Sequence, residues 1–166
     1  MISLRVSDVR KCMNELLREN TFDFFLLQEA TVNTEAAFSI DGHRNDDFFT
    51  AEELEEIGKE DSLIPYGQVR EHIFNVIKGK KTPSSFQIIL SLPKSTIVQI
   101  ITGAELGFRP DSANLVAMIR FVSGALTITT GTSFSEFTMD KSLETEFDKW
   151  VSNFLTAVGI DFDKLT

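Results

Sequence analysis

The sequence predicts an α+β fold: an antiparallel or mixed sheet with helices packed mainly on one face and a C-terminal amphipathic helix central to the core. Three observations carry that expectation. Leu143, Phe147, Trp150, Val151, Phe154, Leu155 and Val158 recur at helical spacing between Asp140, a cap residue, and Gly159. Burying such a stripe is worth roughly 1.5–3 kcal/mol per large side chain, so this helix should sit at the centre of the core. A second signal is the pair Ser123-Gly124 between two β-rich runs. A two-residue turn there sets Phe121 opposite Leu126 and Ile119 opposite Ile128, so apolar partners coincide on one face. Third, Ala30, Val32, Thr34, Ala36, Phe38 and Ile40 alternate with a mostly polar set from Glu29 to Asp41. That pattern predicts one long, half-buried strand.

The remaining elements follow in chain order. Ile2–Val6 is a short apolar run, and Ser7 is the expected cap of a first helix burying Val9, Met13, Leu16 and Leu17, with Cys12 as a small core thiol beside them. Residues 22–28 are continuous in hydrophobicity and fit a strand extension or a short helix. Asp41-Gly42 has the composition of a turn needing positive φ. Thr50 and Glu53 have capping-box spacing, which predicts a helix over 51–57 ended by Gly58. A second amphipathic helix is expected from Tyr66 to Lys78, burying Val69, Ile73, Val76 and Ile77, with His72 at the edge of its stripe and Gly79 as a left-handed cap. A strand over Phe86–Leu92, a helix opened by Pro93 that carries Ile97, Ile100 and Ile101, and a short strand over Phe134–Thr138 complete the pattern. No internal repeat or low-complexity linker interrupts the 166 residues, so one domain is expected.

Composition narrows the function classes. Fifteen phenylalanines against one Trp and one Tyr report core filling. One cysteine, Cys12, rules out an intrachain disulfide or a Cys-rich zinc site. Met1–Lys11 lacks the pattern of a secretory leader, and no apolar run approaches the roughly 20 residues of a membrane helix, so a cytoplasmic protein without membrane attachment is expected. Net charge is −9, and residues 46–61 supply −7 of it, eight acids against Lys59 alone. Such a field disfavours nucleic acid as a partner.

No phosphate-binding loop, dinucleotide glycine fingerprint, nucleophile elbow or HExxH is present, which leans against an enzyme and implies no cofactor. Four stretches remain as candidates. Lys78, Lys80 and Lys81 form the one basic cluster, suited to a small anion or simply to the negative end of a helix dipole. Thr129–Ser133, with Thr130 and Thr132, offers hydroxyls at a strand end, as a pocket lining or as a β-bulge. Glu52, Glu53, Glu55 and Glu56 form either a solvated face or a docking surface for a protein with a basic surface. Asp41–Asp47 gathers oxygen and imidazole groups without EF-hand spacing and is read as a polar tip, with no metal assigned.

Five stretches together carry a resemblance: Phe22-Asp23 with Phe25-Leu26-Leu27, Phe38–Gly42, Ile77–Lys80 with Thr82-Pro83, Thr129–Ser133 and Asp140–Glu144. On these the chain resembles an uncharacterised family of small proteins from anaerobic Gram-positive bacteria. The resemblance implies a bacterial cytoplasmic protein and no particular chemistry. The leading expectation is a non-catalytic binding or interaction domain. The alternative is a small-molecule or anion-binding protein using 78–83 together with 129–133. Oligomeric state is left open by the sequence.

Overall fold

The computed structural model describes residues 1–165. Seven strands, β1 (Ser3–Val6), β2 (Leu26–Asn33), β3 (Ala37–Asp41), β4 (Ser85–Ser91), β5 (Ala113–Val122), β6 (Ala125–Phe134) and β7 (Phe162–Lys164), form one sheet. Its order is β3-β2-β4-β5-β6-β1-β7, and every pairing is antiparallel. Five helices accompany it: α1 (Val9–Leu17), α2 (Ala51–Ile57), α3 (Arg70–Ile77), α4 (Lys94–Gly103) and α5 (Ser142–Ala157). Among the described residues, no helix is long and apolar enough to cross a membrane.

The core lies on one face of the sheet because strand residues alternate in direction. Leu4, Val32, Phe86, Ile88, Leu90, Leu115, Ile119, Phe121, Leu126 and Ile128 are buried on that face. The other face carries Thr31, Gln87, Arg120, Thr127 and Arg5 in one cross-strand row, all half-buried or exposed. Helix α5 lays Leu143, Phe147, Val151 and Leu155 into the core, as its stripe requires. Its outer shoulder stacks Trp150 on Phe154, with ring centroids 5.4 Å apart, against Phe22, Phe24 and Phe25. Five of the fifteen phenylalanines, Phe22, Phe24, Phe25, Phe147 and Phe154, thus gather at the seam between the 22–25 turn and α5, while Phe86 stacks on Phe121 in the sheet. Cys12 is fully buried, which pushes its thiol up to about 12.

The β5–β6 register is the one the turn composition sets. Val122 faces Ala125, Phe121 faces Leu126 and Ile119 faces Ile128, and the ladder runs on unbroken to Ala113 opposite Phe134. The threonine stretch 129–133 is therefore regular strand, not a bulge, and no separate strand covers 134–138. The alternation from 29 to 41 is two strands, not one. A tight turn at 34–36 folds β3 back on β2, setting Ala30 opposite Ile40 and Val32 opposite Phe38. Even residues face even residues across this hairpin, so the alternating pattern passes through the turn without a break. At residues 22–28, a turn leads into β2 from Leu26.

Local caps differ from expectation in instructive ways. Asp8, not Ser7, caps α1, accepting a hydrogen bond from the Lys11 amide. Asp140 accepts from the Ser142 amide one residue ahead of the cap of α5. The helix expected from Tyr66 starts as a short 3₁₀ turn, Tyr66–Gln68, with α3 following from Arg70. Tyr66 is buried and its hydroxyl donates to the Leu16 carbonyl, while Arg70 pairs with Asp23 at 2.7 Å and reaches the carbonyls of Leu17 and Arg18 at the end of α1. Lys78, in extended backbone, ends α3; Gly79 is not left-handed, and His72 is solvent-exposed rather than part of the core edge.

Gly42 is required for space, not for positive φ. A Cβ built there would lie 1.7 Å from the Leu27 carbonyl oxygen. The Gly42 amide donates to the Gln28 carbonyl and its own carbonyl accepts from Ile64, so backbone is packed on backbone at the root of residues 43–63. Gly42→Ala should therefore destabilise the fold by about 3 kcal/mol or more, since the clash is with main chain that cannot turn aside. Urea denaturation measures it; a loss below about 1 kcal/mol would show that the approach is slack.

Candidate functional site

Residues 43–63 leave the sheet as an arm. Its two sides meet where His43 bridges to Leu63 and the Arg44 amide donates to the Ser62 carbonyl. Arg44 is the clasp. Its side chain is largely buried; Nη1 donates to the carbonyls of Gly58 (3.0 Å) and Asp61 (3.4 Å), and Nε to the Asp46 carboxylate at 2.7 Å. A guanidinium suits this role because its fixed fork serves several oxygens at once.

The arm holds a 3₁₀ turn, Asp46–Phe48, and then α2. Thr50 and Glu53 form the capping box, each side chain accepting from the other's backbone amide, and Gly58 ends α2 at φ +81. No residue of either turn is buried. Phe48 is 80% exposed and Ile57 51%, with Leu54 and Phe49 half-buried. Glu52, Glu55 and Glu56 form no ion pair among the described residues, while Glu53 is taken up by the cap. The arm is therefore an ordered acidic element that holds Phe48 and Ile57 in water.

A polar cleft of about 460 Å³ opens beside its root, between residues 60–63, the start of α4 and the ends of β4, β5 and β6. A register shift between Leu27 and Glu29 leaves Gln28 as the extra residue of a bulge, beside Ser91. The buried Ser91 hydroxyl lies 3.4 Å from Gln28 Oε1 and 3.3 Å from Asn114 Oδ1, and its single hydrogen serves one of them at a time. Asp61 accepts from the Lys94 amide at the head of α4, and Lys94 Nζ donates to the Pro110 carbonyl. At the rim, Asp41 accepts from both the His43 amide and Nδ1 (2.6 Å), which holds its carboxyl below the usual range. Asp41, His43 and Asp46 of the 41–47 stretch are thus engaged with each other and with Arg44, while Asp47 forms no ion pair among the described residues. Among the described residues no group of three or more His, Cys, Asp or Glu is placed to hold a metal ion.

The structure does not bring the two ligand segments of the sequence reading together. Lys78 and Lys80 line a pocket of about 510 Å³ with Thr34, Glu35 and Ser84. Val122 pairs with both Ser85 and Ala125, and Thr130 lies five residues beyond Ala125, about 17 Å along the strand. Thr130 is buried and structural: its hydroxyl accepts from the Ile2 amide at 2.9 Å and donates to Asp148 at 2.6 Å, tying β1 and β6 to α5. Among the described residues, the buried Thr132 Oγ1 has no hydrogen-bond partner. Sequence reasoning missed Phe48, Ile57 and Arg44. Two apolar residues within the acidic run were the available signal for the first two; Arg44 gave none, since beside the Asp46 carboxylate its partners are the backbone carbonyls of Gly58 and Asp61.

A family model matches residues 15–163. The chain belongs to DUF5721, a family of unknown function. No curated protein and no solved structure matches it. The DUF5721 match spans the arm, the cleft and the lysine pocket.

Arg44→Ala should release the arm without unfolding the sheet. Losing hydrogen bonds to a charged donor is worth about 1.5–3 kcal/mol, so amide exchange across 45–61 should rise about 10- to 100-fold while that of β4 and β5 stays unchanged. Exchange mass spectrometry decides it, and equal protection in both proteins would remove Arg44 as the clasp.

Proposed function

We propose that this chain is a non-catalytic interaction domain of a bacterial cytoplasm, in the Gram-positive lineage its sequence resembles, and that the 46–57 arm receives a partner with a basic, amphipathic surface. One observation carries the reading. The arm, whose helix has a full capping box and whose root is clasped, buries no residue of its two helical turns and holds Phe48 and Ile57 in water near Glu52, Glu55 and Glu56, which form no ion pair among the described residues. Exposing apolar area on an ordered element costs stability that docking recovers, at roughly 1.5–3 kcal/mol for a fully covered Phe or Ile. Carboxylates around such a patch steer a basic partner and repel acidic ones. Phe137 and Met139 are also exposed, but they lie in irregular chain between β6 and α5 with no cap to pre-organise them.

The test compares three baits in quantitative pull-downs: the native chain, Phe48→Ser/Ile57→Ser, and Glu52→Gln/Glu55→Gln/Glu56→Gln. A partner specific to the arm should fall at least about tenfold on both variants, with the charge variant losing mostly association rate. Identical capture by all three would remove the arm from binding.

A second reading is a small anionic ligand at the pocket shared by Lys78 and Lys80. The supporting observation is that neither lysine is paired with a carboxylate among the described residues. Inorganic phosphate should then shift the amide resonances of 78–84 saturably, and do so less in Lys78→Gln/Lys80→Gln; a linear, non-saturating drift would reject it.

A further inference from the structure

The arm has a counterpart on its own chain. Between α1 and α3 runs an apolar groove of about 520 Å³, floored by Val9, Met13, Leu17, Phe74, Ile77 and Phe121. Arg10, Arg18 and Lys78 stand around it. None of these three cations forms an ion pair among the described residues. The groove is thus an apolar floor in a basic frame, and the arm is an apolar ridge in an acidic frame. Each lacks what the other supplies.

The two do not meet within one molecule. Phe121 in the groove floor pairs with Phe86, whereas the arm leaves the sheet beside Leu27, which pairs with Leu90. Those positions are four residues apart on β4, about 14 Å, and no arm residue lines the groove. The clasp at Arg44 and the packed backbone at Gly42 fix the root of the arm away from it.

We propose that the arm of one copy docks into the α1–α3 groove of a second copy, with Phe48 and Ile57 on the groove floor and Glu52, Glu55 and Glu56 facing Arg10, Arg18 and Lys78. This rests on the arm being the docking element and names the partner as the chain itself. Two such contacts made reciprocally close a twofold dimer, which needs no further interface. Each contact alone is small, so the dimer belongs to the weak, salt-sensitive class.

Charge reversal gives a test that a non-specific contact cannot pass. One variant carries Glu52→Lys, Glu55→Lys and Glu56→Lys; the other carries Arg10→Glu, Arg18→Glu and Lys78→Glu. In each, arm and groove have the same sign, so each should be monomeric. Mixed one to one, both contacts become complementary again, and the pair should form a heterodimer. Sedimentation velocity of the full chain should show the native protein dimerising with a Kd of roughly 1–100 µM and weakening at high salt. Each single variant should weaken by about 100-fold, and the mixture should recover to within about tenfold of the native Kd. All six positions are exposed, so unchanged circular dichroism is expected; Phe48→Ser/Ile57→Ser, which leaves the charges alone, should also be monomeric.

A native chain that stays monomeric up to about 300 µM overturns the proposal, as does association that survives either reversal or a mixture that fails to recover. A fluorescent Leu/Lys amphipathic peptide separates this inference from the reading beneath it. If the native chain is monomeric yet binds that peptide through Phe48 and Ile57, the second copy is wrong and the arm still docks. If it neither dimerises nor binds the peptide, both fall.

Discussion

Burial on a single face of the sheet is the constraint from which the rest of this structure follows. Seven antiparallel strands present one apolar surface, and α5 answers it with Leu143, Phe147, Val151 and Leu155. Because the opposite face is polar or half-open, all of α5's packing falls on one side, and Trp150 with Phe22, Phe24, Phe25, Phe147 and Phe154 gathers where α5 meets the 22–25 turn. Thr130 shows how tightly that layer is tied. A hydroxyl on the buried face is tolerated only because Ile2 and Asp148 satisfy it from the neighbouring strand and from α5.

The arm is the exception to this economy. Every other helix of the fold places residues in the core, whereas α2 places none. What order it has comes from its ends: the capping box at Thr50, the left-handed Gly58, and Arg44 reaching across to the returning strand of chain. A helix held only by its termini can keep its side chains free for something else. That division, a sheet stabilised by burial and an arm stabilised by caps and one guanidinium, lets a surface evolve without disturbing the core.

Charge is divided along the same line. The arm is acidic, the α1–α3 side carries Arg10, Arg18 and Lys78, none ion-paired among the described residues, and the two stand apart. The two fields have opposite sign and lie on separate regions of the molecule, so neither neutralises the other within one chain. The polar cleft beside the arm root is a different kind of site, with the one Ser91 hydroxyl hydrogen shared between Gln28 and Asn114.

Much of this was legible in residues alone wherever the signal is local. The capping box at Thr50, the end at Gly58, the α5 stripe and the β5–β6 register are short-range patterns, and all four stand as read. Where the reading failed, a pattern had two geometric solutions. Alternation from Glu29 to Asp41 fits one strand or a hairpin whose turn preserves parity, and only pairing with β4 chose between them. Gly42 looked like a turn residue because composition does not reveal that the Leu27 carbonyl lies where a Cβ would be. Lys78 and Thr130 are each polar enough for a shared site, but Lys78 lines a pocket with Ser84, beside the Val122 end of β5, whereas Thr130 sits mid-strand opposite Ala117. The acidity of 46–61 was in the sequence; that Phe48 and Ile57 stay in water, and that a basic-framed groove lies elsewhere on the same molecule, was decided by tertiary packing, because burial depends on what arrives from distant chain.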